Sequence, residues 1–443
     1  MTTRFRILTA VLSLLAANAC AADAAPAAPH TAQTVVLRAA RMFDGASGKL
    51  VERPQLTIVG NKIVRIAQAD KAEVPAGAEV IDLGDATLLP GFIDAHVHLS
   101  GQGSDNWYGD FFDNMMRFPA EQALYGAYYA RLTLEAGFTS VRDLGSTDWV
   151  ALGLRNAIDA GKVPGPRMLV SNYAVGSTGG HADQDPIPPH KLPLAGPLQG
   201  VCNGPEECRA AVRYQIKYGA NVIKFMPSGG VLSLSDPVDA PELSQDEMNA
   251  VIGESHAWGR KVAAHAHGDK AAKMAVAAGV DSIEHGSFIE DDTLRAMKAK
   301  NVYLVPTISA IAHVEEKIAT FPPVIAEKGR AAAAHLRQTF RHAVQIGVPI
   351  ALGTDAGVGA HGTNAREFRY MVENGLTPAQ SLLAGTSNAA RLLGTIDRVG
   401  TLEAGKLADV VAVPGNPIAD ITVTERPVFV MKDGVVVRRG AVR

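Results

Sequence analysis

Three cysteines in 443 residues are too few for a disulfide-built scaffold, and they lack the spacing of a thiolate metal site. No run of lysine or arginine marks a nucleic-acid footprint, and a net charge of −3 offers no field to hold a polyanion. Beyond the first residues, no apolar stretch is long enough to cross a bilayer. No internal repeat is visible. What remains is an ordinary globular composition, 47% hydrophobic and 20% charged. The length allows one large domain and a smaller one.

The first residues read as an address rather than as fold. Arg4 and Arg6 precede the apolar run from Ile7 to Ala16, and small residues follow. This is the charged start, short apolar middle and Ala-x-Ala exit of a secretory signal peptide over residues 1–25, with cleavage after Ala19, Ala22 or Ala25. Cleavage after Ala19 would expose Cys20 for a lipid anchor, although Ala17 and Asn18 are poor neighbours for that processing. A secreted or periplasmic location is therefore expected. In such a compartment Cys202 and Cys208, bracketing "CNGPEEC", are expected to form a disulfide, with two free thiols as the alternative.

After a flexible stretch at 26–33, residues 34–89 carry short β-rich pieces. Asp44-Gly45 and Gly60-Asn61 read as turns between them. Residues 398–443 return to the same texture, with Asp433-Gly434 as a further turn. The two ends are expected to pair into one small β-sandwich domain. Between them, residues 90–397 alternate differently. Eight apolar strand-like runs ("TLLPGFIDAHVH", "FTSVRDLG", "RMLVSN", "NVIKFMPSGG", "KVAAHAHG", "SIEHG", "VYLVPT", "IALGTDAG") are separated by helix-like segments such as 122–136, 206–218, 245–259 and 329–345. Apolar strands alternating with helices imply an α/β fold with a parallel sheet, and eight such units are the size of a (β/α)8 TIM barrel.

In such a barrel the C-terminal strand ends line the active-site mouth. Here they carry His96 and His98, Arg142 and Asp143, Lys224, His265 and His267, Glu284 and His285, and Asp355. Core filling calls for Val, Ile or Leu at those ends, so the polar set points to a site. Residues i and i+2 of a strand share a side, so both imidazoles of His96-x-His98 can face one cavity.

"LPGFIDAHVH", "NVIKFMPSGGVLS", "VAAHAHG", "SIEHG", "ALGTDAG" and "LEAGKLADVVAV" together resemble the amidohydrolase superfamily. The resemblance runs from about Val35 to the C-terminus. It is nearest to the branch of Xaa-Pro dipeptidases and carboxypeptidases, which includes imidazolonepropionase-related proteins and ochratoxin-cleaving amidases. It implies two divalent metal ions, zinc by the ligand types. His96 and His98 would hold one ion and His265 and His285 the other. Lys224, carboxylated by CO2 to a carbamate, would bridge them, and Asp355 would be both ligand and proton shuttle. His267 stands where relatives often carry a tyrosine that donates to the scissile carbonyl, and a histidine can fill that role only in a donating tautomer or when protonated.

Substrate-side candidates are His181 in "STGGHADQ", His361 in "GVGAHGTN" and Arg142. The arginine could hold a substrate carboxylate or pair with Asp143 at the rim. Trp107, Tyr108, Phe111 and Phe112 read equally as a lid or as a satellite core. The resemblance implies hydrolysis of the amide bond to a C-terminal amino acid, in dipeptides or N-acyl amino acids, ochratoxin-type amides included. It also implies a homo-oligomer. The alternatives are a mononuclear deaminase or imidazolonepropionase-like ring hydrolase, and a metal-free scaffold on the same fold.

Overall fold

The computed structural model describes residues 33–183, 187–188 and 190–440. The expected signal peptide and Cys20 lie outside the described residues. Strands from the two ends of the chain do share a sheet. Its six strands run in the order 435–439, 429–432, 410–414, 86–90, 41–43 and 50–52, and four strands of the N-terminal part (62–68, 54–59, 34–38, 79–82) form another. Val59 pairs with Lys62 and Lys432 with Val435, so the Gly60-Asn61 and Asp433-Gly434 dipeptides are two-residue hairpin turns. Positive φ at Gly60, Asp433 and Gly434 supplies the backbone twist those turns require. Leu37, Leu56, Ile58, Leu88, Val410 and Phe429 are fully buried in one apolar cluster.

Among the described residues, the middle of the chain carries seven parallel strands: β1 (Phe92–Val97), β2 (Phe138–Asp143), β3 (Arg167–Val170), β4 (Val222–Phe225), β5 (Lys261–Gly268), β6 (Ser282–Phe288) and β7 (Tyr303–Val305). They lie in two sheets, β3-β2-β1 and β4-β5-β6-β7. Most positions on these strands are buried on both faces, which is why they read as continuous apolar runs rather than alternating ones. Single bridges join Val175 to Phe225, Leu304 to Ile350 and Val97 to Ala356.

The eighth expected strand, "IALGTDAG", is not a regular strand. It lies between β7 and β1, with Ala351 N–H donating to Leu304 O (3.1 Å) and His98 N–H to Ala356 O (2.7 Å). Two local features break its pleat. Asp355 has φ 57° and Gly357 φ 123°, both outside extended geometry. Gly353 approaches so closely that a Cβ would sit 2.3 Å from Val305 Cγ1. Asp94 ties this segment to β1, accepting from the N–H of His96 and Thr354 (3.1 Å each) and from the Thr354 hydroxyl (2.6 Å).

Five helices bear on the site: α1 (Trp107–Met116), α2 (Pro119–Glu135), α3 (Ile308–Lys317), α4 (Pro323–Ile346) and α5 (Arg366–Glu373). No residue of α1 is buried. Trp107 stacks on Phe111 at 5.4 Å, while Tyr108 and Phe112 are 64% and 59% exposed, so the aromatic group is not a satellite core. Cys202 and Cys208 form a disulfide that closes the turn into the helix Pro205–Lys217.

Candidate metal centre

The six expected ligands, His96, His98, Lys224, His265, His285 and Asp355, line one cavity of about 170 Å3, together with His181 and His267. Ligand atoms of His96, His285 and Asp355 lie within 4.8 Å of one another, and so do those of His265, His267 and His285. His285 thus belongs to both groups. Asp355 Oδ1 stands 3.5 Å from His96 Nε2 and 3.2 Å from His98 Nε2.

Four of the rings are aimed by their far nitrogens. His96 Nδ1 meets Glu284 Oε2 (2.9 Å), His98 Nδ1 meets Gly145 O (3.0 Å), His267 Nδ1 meets Ser287 Oγ (2.8 Å) and His285 Nδ1 meets Thr307 Oγ1 (2.7 Å). Each contact fixes ring orientation and leaves Nε2 for the cavity, as outer-shell partners of metal-bound histidines do. Thr307 (φ 50°) precedes α3, and with its hydroxyl engaged by His285 it makes no side-chain cap on that helix. Glu367 of α5 does the capping instead, accepting from Ile308 N–H (2.9 Å) and Ser309 N–H (2.7 Å).

Except at His98, where burial would lower the imidazole but the Asp355 and Asp143 charges raise it, the electrostatics favour ligand forms over charged ones. Burial lowers His96 to about 4 and His267 to about 3, and carries His265 and His285 well below the ordinary imidazole range. Burial also brings Lys224 down to about 8, with the Arg142 charge acting in the same direction. Asp355 moves oppositely. Desolvation would raise it, but His96 and His98 outweigh that and hold it well below its usual value as a carboxylate. Neutral imidazoles, an amine able to shed its proton and an ionised carboxylate are the protonation states that metal binding requires. Two buried atoms of this set, His265 Nε2 and Asp355 Oδ1, have no hydrogen-bond partner among the described residues, and a cation is what such a nitrogen-and-oxygen donor set accommodates. The residues therefore fit a divalent metal site.

The amidohydrolase family model matches residues 87–437. The chain belongs to the amidohydrolase family. It is a hydrolase of C–N bonds from a family that is typically metal-dependent. Ochratoxinase of Aspergillus niger is 35% identical over 363 residues, which cover 77% of this chain and 72% of that one. A crystal structure of a Xaa-Pro dipeptidase with methionine in its active site superposes with a TM-score of 0.86 at 39% identity, covering 91% of this chain and 99% of that one. A prolidase complexed with N-methylphosphonate-L-proline gives 0.83 at 31% identity, with 92% and 100% covered. The fold neighbours are of TIM-barrel type.

Two substrate-side expectations need correction in this amidohydrolase. Arg142 is 1% exposed and is spent inside the fold. Its guanidinium donates to Ala95 O (2.5 Å), Ser282 Oγ (3.1 Å) and Glu284 Oε1 (2.8 Å). It pairs with Glu284 rather than with Asp143, and it does not line the cavity. His361 also stays outside the cavity, because its Nε2 is held by Gly101 O (2.8 Å) and its ring stacks on Tyr129 at 4.6 Å. His181 does line it, with its ring 4.5 Å from that of His265 and its Nδ1 3.1 Å from Ser233 Oγ.

Glu284 is the residue that sequence reasoning undervalued. It joins Arg142 to His96, and although burial would raise its carboxyl, the guanidinium and the imidazole hold it down to about 2. The signal was present in "SIEHG", an acid placed next to a candidate ligand histidine in a strand-like segment.

Proposed function

We propose that this amidohydrolase is binuclear and cleaves the amide bond to a C-terminal amino acid in dipeptides or N-acyl amino acids, aromatic ones included. The observation that carries the reading is Lys224. It is 1% exposed, lines the same cavity as both histidine groups, and sheds its proton more readily than a free lysine. A desolvated amine of that kind is the nucleophile CO2 needs, and a carbamate there would add the oxygen ligand between the two groups. His96, His98 and Asp355 would hold one ion and His265 and His285 the other.

When bound, such ions polarise the scissile carbonyl and acidify water at neutral pH. The remaining work falls to the chain. Asp355, ionised and beside both β1 histidines, takes the proton of the attacking water and returns it to the departing amine. His267, kept neutral, donates from Nε2 to the oxygen on which charge develops, with the Ser287 hydroxyl donating to its Nδ1. His181 meets the substrate carboxylate. Met226, Val231, Leu232, Ile311 and Val314 wall the cavity with apolar surface, which suits an apolar side chain beside the scissile bond. The names of the relatives support the substrate class: a Xaa-Pro dipeptidase, a prolidase and an ochratoxinase.

The same reading has the bridges at Val175, Ile350 and Ala356 close the strands into a (β/α)8 barrel over 90–397, with 34–89 and 398–443 as a β-sandwich beside it. It has the chain exported after removal of residues 1–25 and assembled with copies of itself, for which the uncovered aromatic face of α1 speaks.

The test is Lys224→Ala. Turnover of Xaa-Pro, Xaa-Lys and N-acyl aromatic substrates and bound metal should be lost together, and mass spectrometry in bicarbonate should find the carbamate only in the parent. Full activity in the variant, or one metal per chain with an unmodified lysine, would replace this reading with a mononuclear ring hydrolase.

A further inference from the structure

Lys328 lies on α4, a helix that packs against β6 and supplies none of the six candidate ligands. Its side chain is 11% exposed. Its ammonium donates to the backbone carbonyls of Gly230 (3.2 Å), Ser233 (2.9 Å) and Asp236, and stands 3.5 Å from Asp236 Oδ1. Three peptide oxygens and a carboxylate around one positive charge are the surroundings proteins give a hard metal ion. Here a tethered ammonium, with three donors, takes that place.

All four oxygens belong to residues 230–236, the segment that follows β4 and Lys224. Asp236 Oδ2 accepts from Gly230 N–H (2.7 Å), while Asp236 Oδ1 is buried with no hydrogen-bond donor among the described residues. The carbonyls of one short turn therefore converge on a point where, without a cation, their dipoles would repel. What the turn holds is the substrate side of the cavity. Val231 and Leu232 are part of the apolar wall. Gly230 lies flat against His181, so close that a Cβ would fall 2.1–2.3 Å from three of its ring atoms. Ser233 touches the same imidazole.

We propose that Lys328 serves as a built-in structural cation, a positioning residue that folds 230–236 around its ammonium and thereby sets His181 and the Val231–Leu232 wall to receive substrate. The inference rests on the reading of the cavity as an amide-hydrolase site, and it assigns Lys328 to substrate binding rather than to metal binding or proton transfer.

The experiment is Lys328→Met in the full-length, metal-loaded enzyme. KM for the preferred substrate should rise by about tenfold with kcat nearly unchanged, and bound metal should stay at the parental level. Amide exchange across 230–236 should accelerate. Potassium or methylammonium ions should restore both KM and protection by entering the emptied oxygen cage, whereas the bulkier choline should not. Unchanged KM and exchange would overturn the inference, as would loss of metal together with kcat. Faster exchange that no small cation reverses would reduce Lys328 to a packing residue and overturn it as well. Should Lys328→Met fail to fold, Lys328→Gln, neutral but still a donor, is judged by the same exchange and cation readings. If the parent turns over no amide of the panel, the functional reading falls, while the exchange and cation readings still decide the role of Lys328.

Discussion

Replacing Arg142 by methionine should show how the metal cavity is held from behind. The guanidinium reaches Glu284 Oε1 at 2.8 Å, with both side chains almost wholly out of solvent, and Glu284 in turn holds His96. Burial alone would push the Glu284 carboxyl upward, so holding it down from 4.5 to about 2 measures how strongly its partners favour the charged form. At ~1.4 kcal/mol per pKa unit, this is on the order of 3 kcal/mol, with Arg142 the largest contributor. Breaking a buried pair from one side typically costs ~3–5 kcal/mol, which agrees. Because the folded-state pKa is depressed, the contribution is complete above pH 4.5 and fades as pH falls towards 2. Urea unfolding of Arg142→Met should therefore lie ~3 kcal/mol below the parent at neutral pH, with the gap narrowing in acid. Replacing Glu284 by methionine as well should recover most of the stability. Metal affinity should nevertheless fall ~10–100-fold, since His96 then lacks its Nδ1 partner. A neutral-pH loss under ~0.5 kcal/mol, the range of an ordinary surface substitution, would refute the argument, as would a gap independent of pH.

Three further substitutions separate the roles of side chains within the cavity. Gly230→Ala places a methyl group where the His181 ring now lies, so KM should rise with metal content unchanged; parental kinetics would remove His181 from substrate binding. His267→Phe should keep its metal yet lose ~100-fold or more in kcat, the cost of one oxyanion donor, whereas His265→Ala should lose metal. If metal analysis gives the reverse pattern, His267 is the β5 ligand and His265 the donor.

The candidate metal cavity was legible because each motif is local. His-x-His on β1, the paired histidines of β5 and the lysine among Val222, Ile223 and Phe225 are each a short strand segment whose polar residue contradicts its apolar surroundings. Helix positions were nearly as readable. The expected 122–136, 206–218 and 245–259 correspond to Pro119–Glu135, Pro205–Lys217 and Gln245–Ala257. The starts of the first two helices were missed by one to three residues, because Pro119 and Pro205 open them at N1, where a missing N–H costs nothing. The eighth strand was misread because its hydrophobicity is that of a strand while its geometry is set by Asp355 at positive φ and by two closely packed glycines, which hydropathy does not register.

The partners of charged residues were the least legible part, and the reason is distance along the chain. Asp143 lies next to Arg142 in sequence, yet neighbours on a strand point to opposite faces. Arg142 instead meets Glu284, 142 positions away, and Glu284 is brought there by strand order. The same holds for Lys328, whose four oxygen partners come from a loop some 90–100 residues earlier. A motif reports which groups can do chemistry. Which groups aim them follows from the order in which parallel strands and their loops are laid side by side, so the residues that gather at this cavity could be named from the chain while the roles of Glu284 and Lys328 had to wait for the fold.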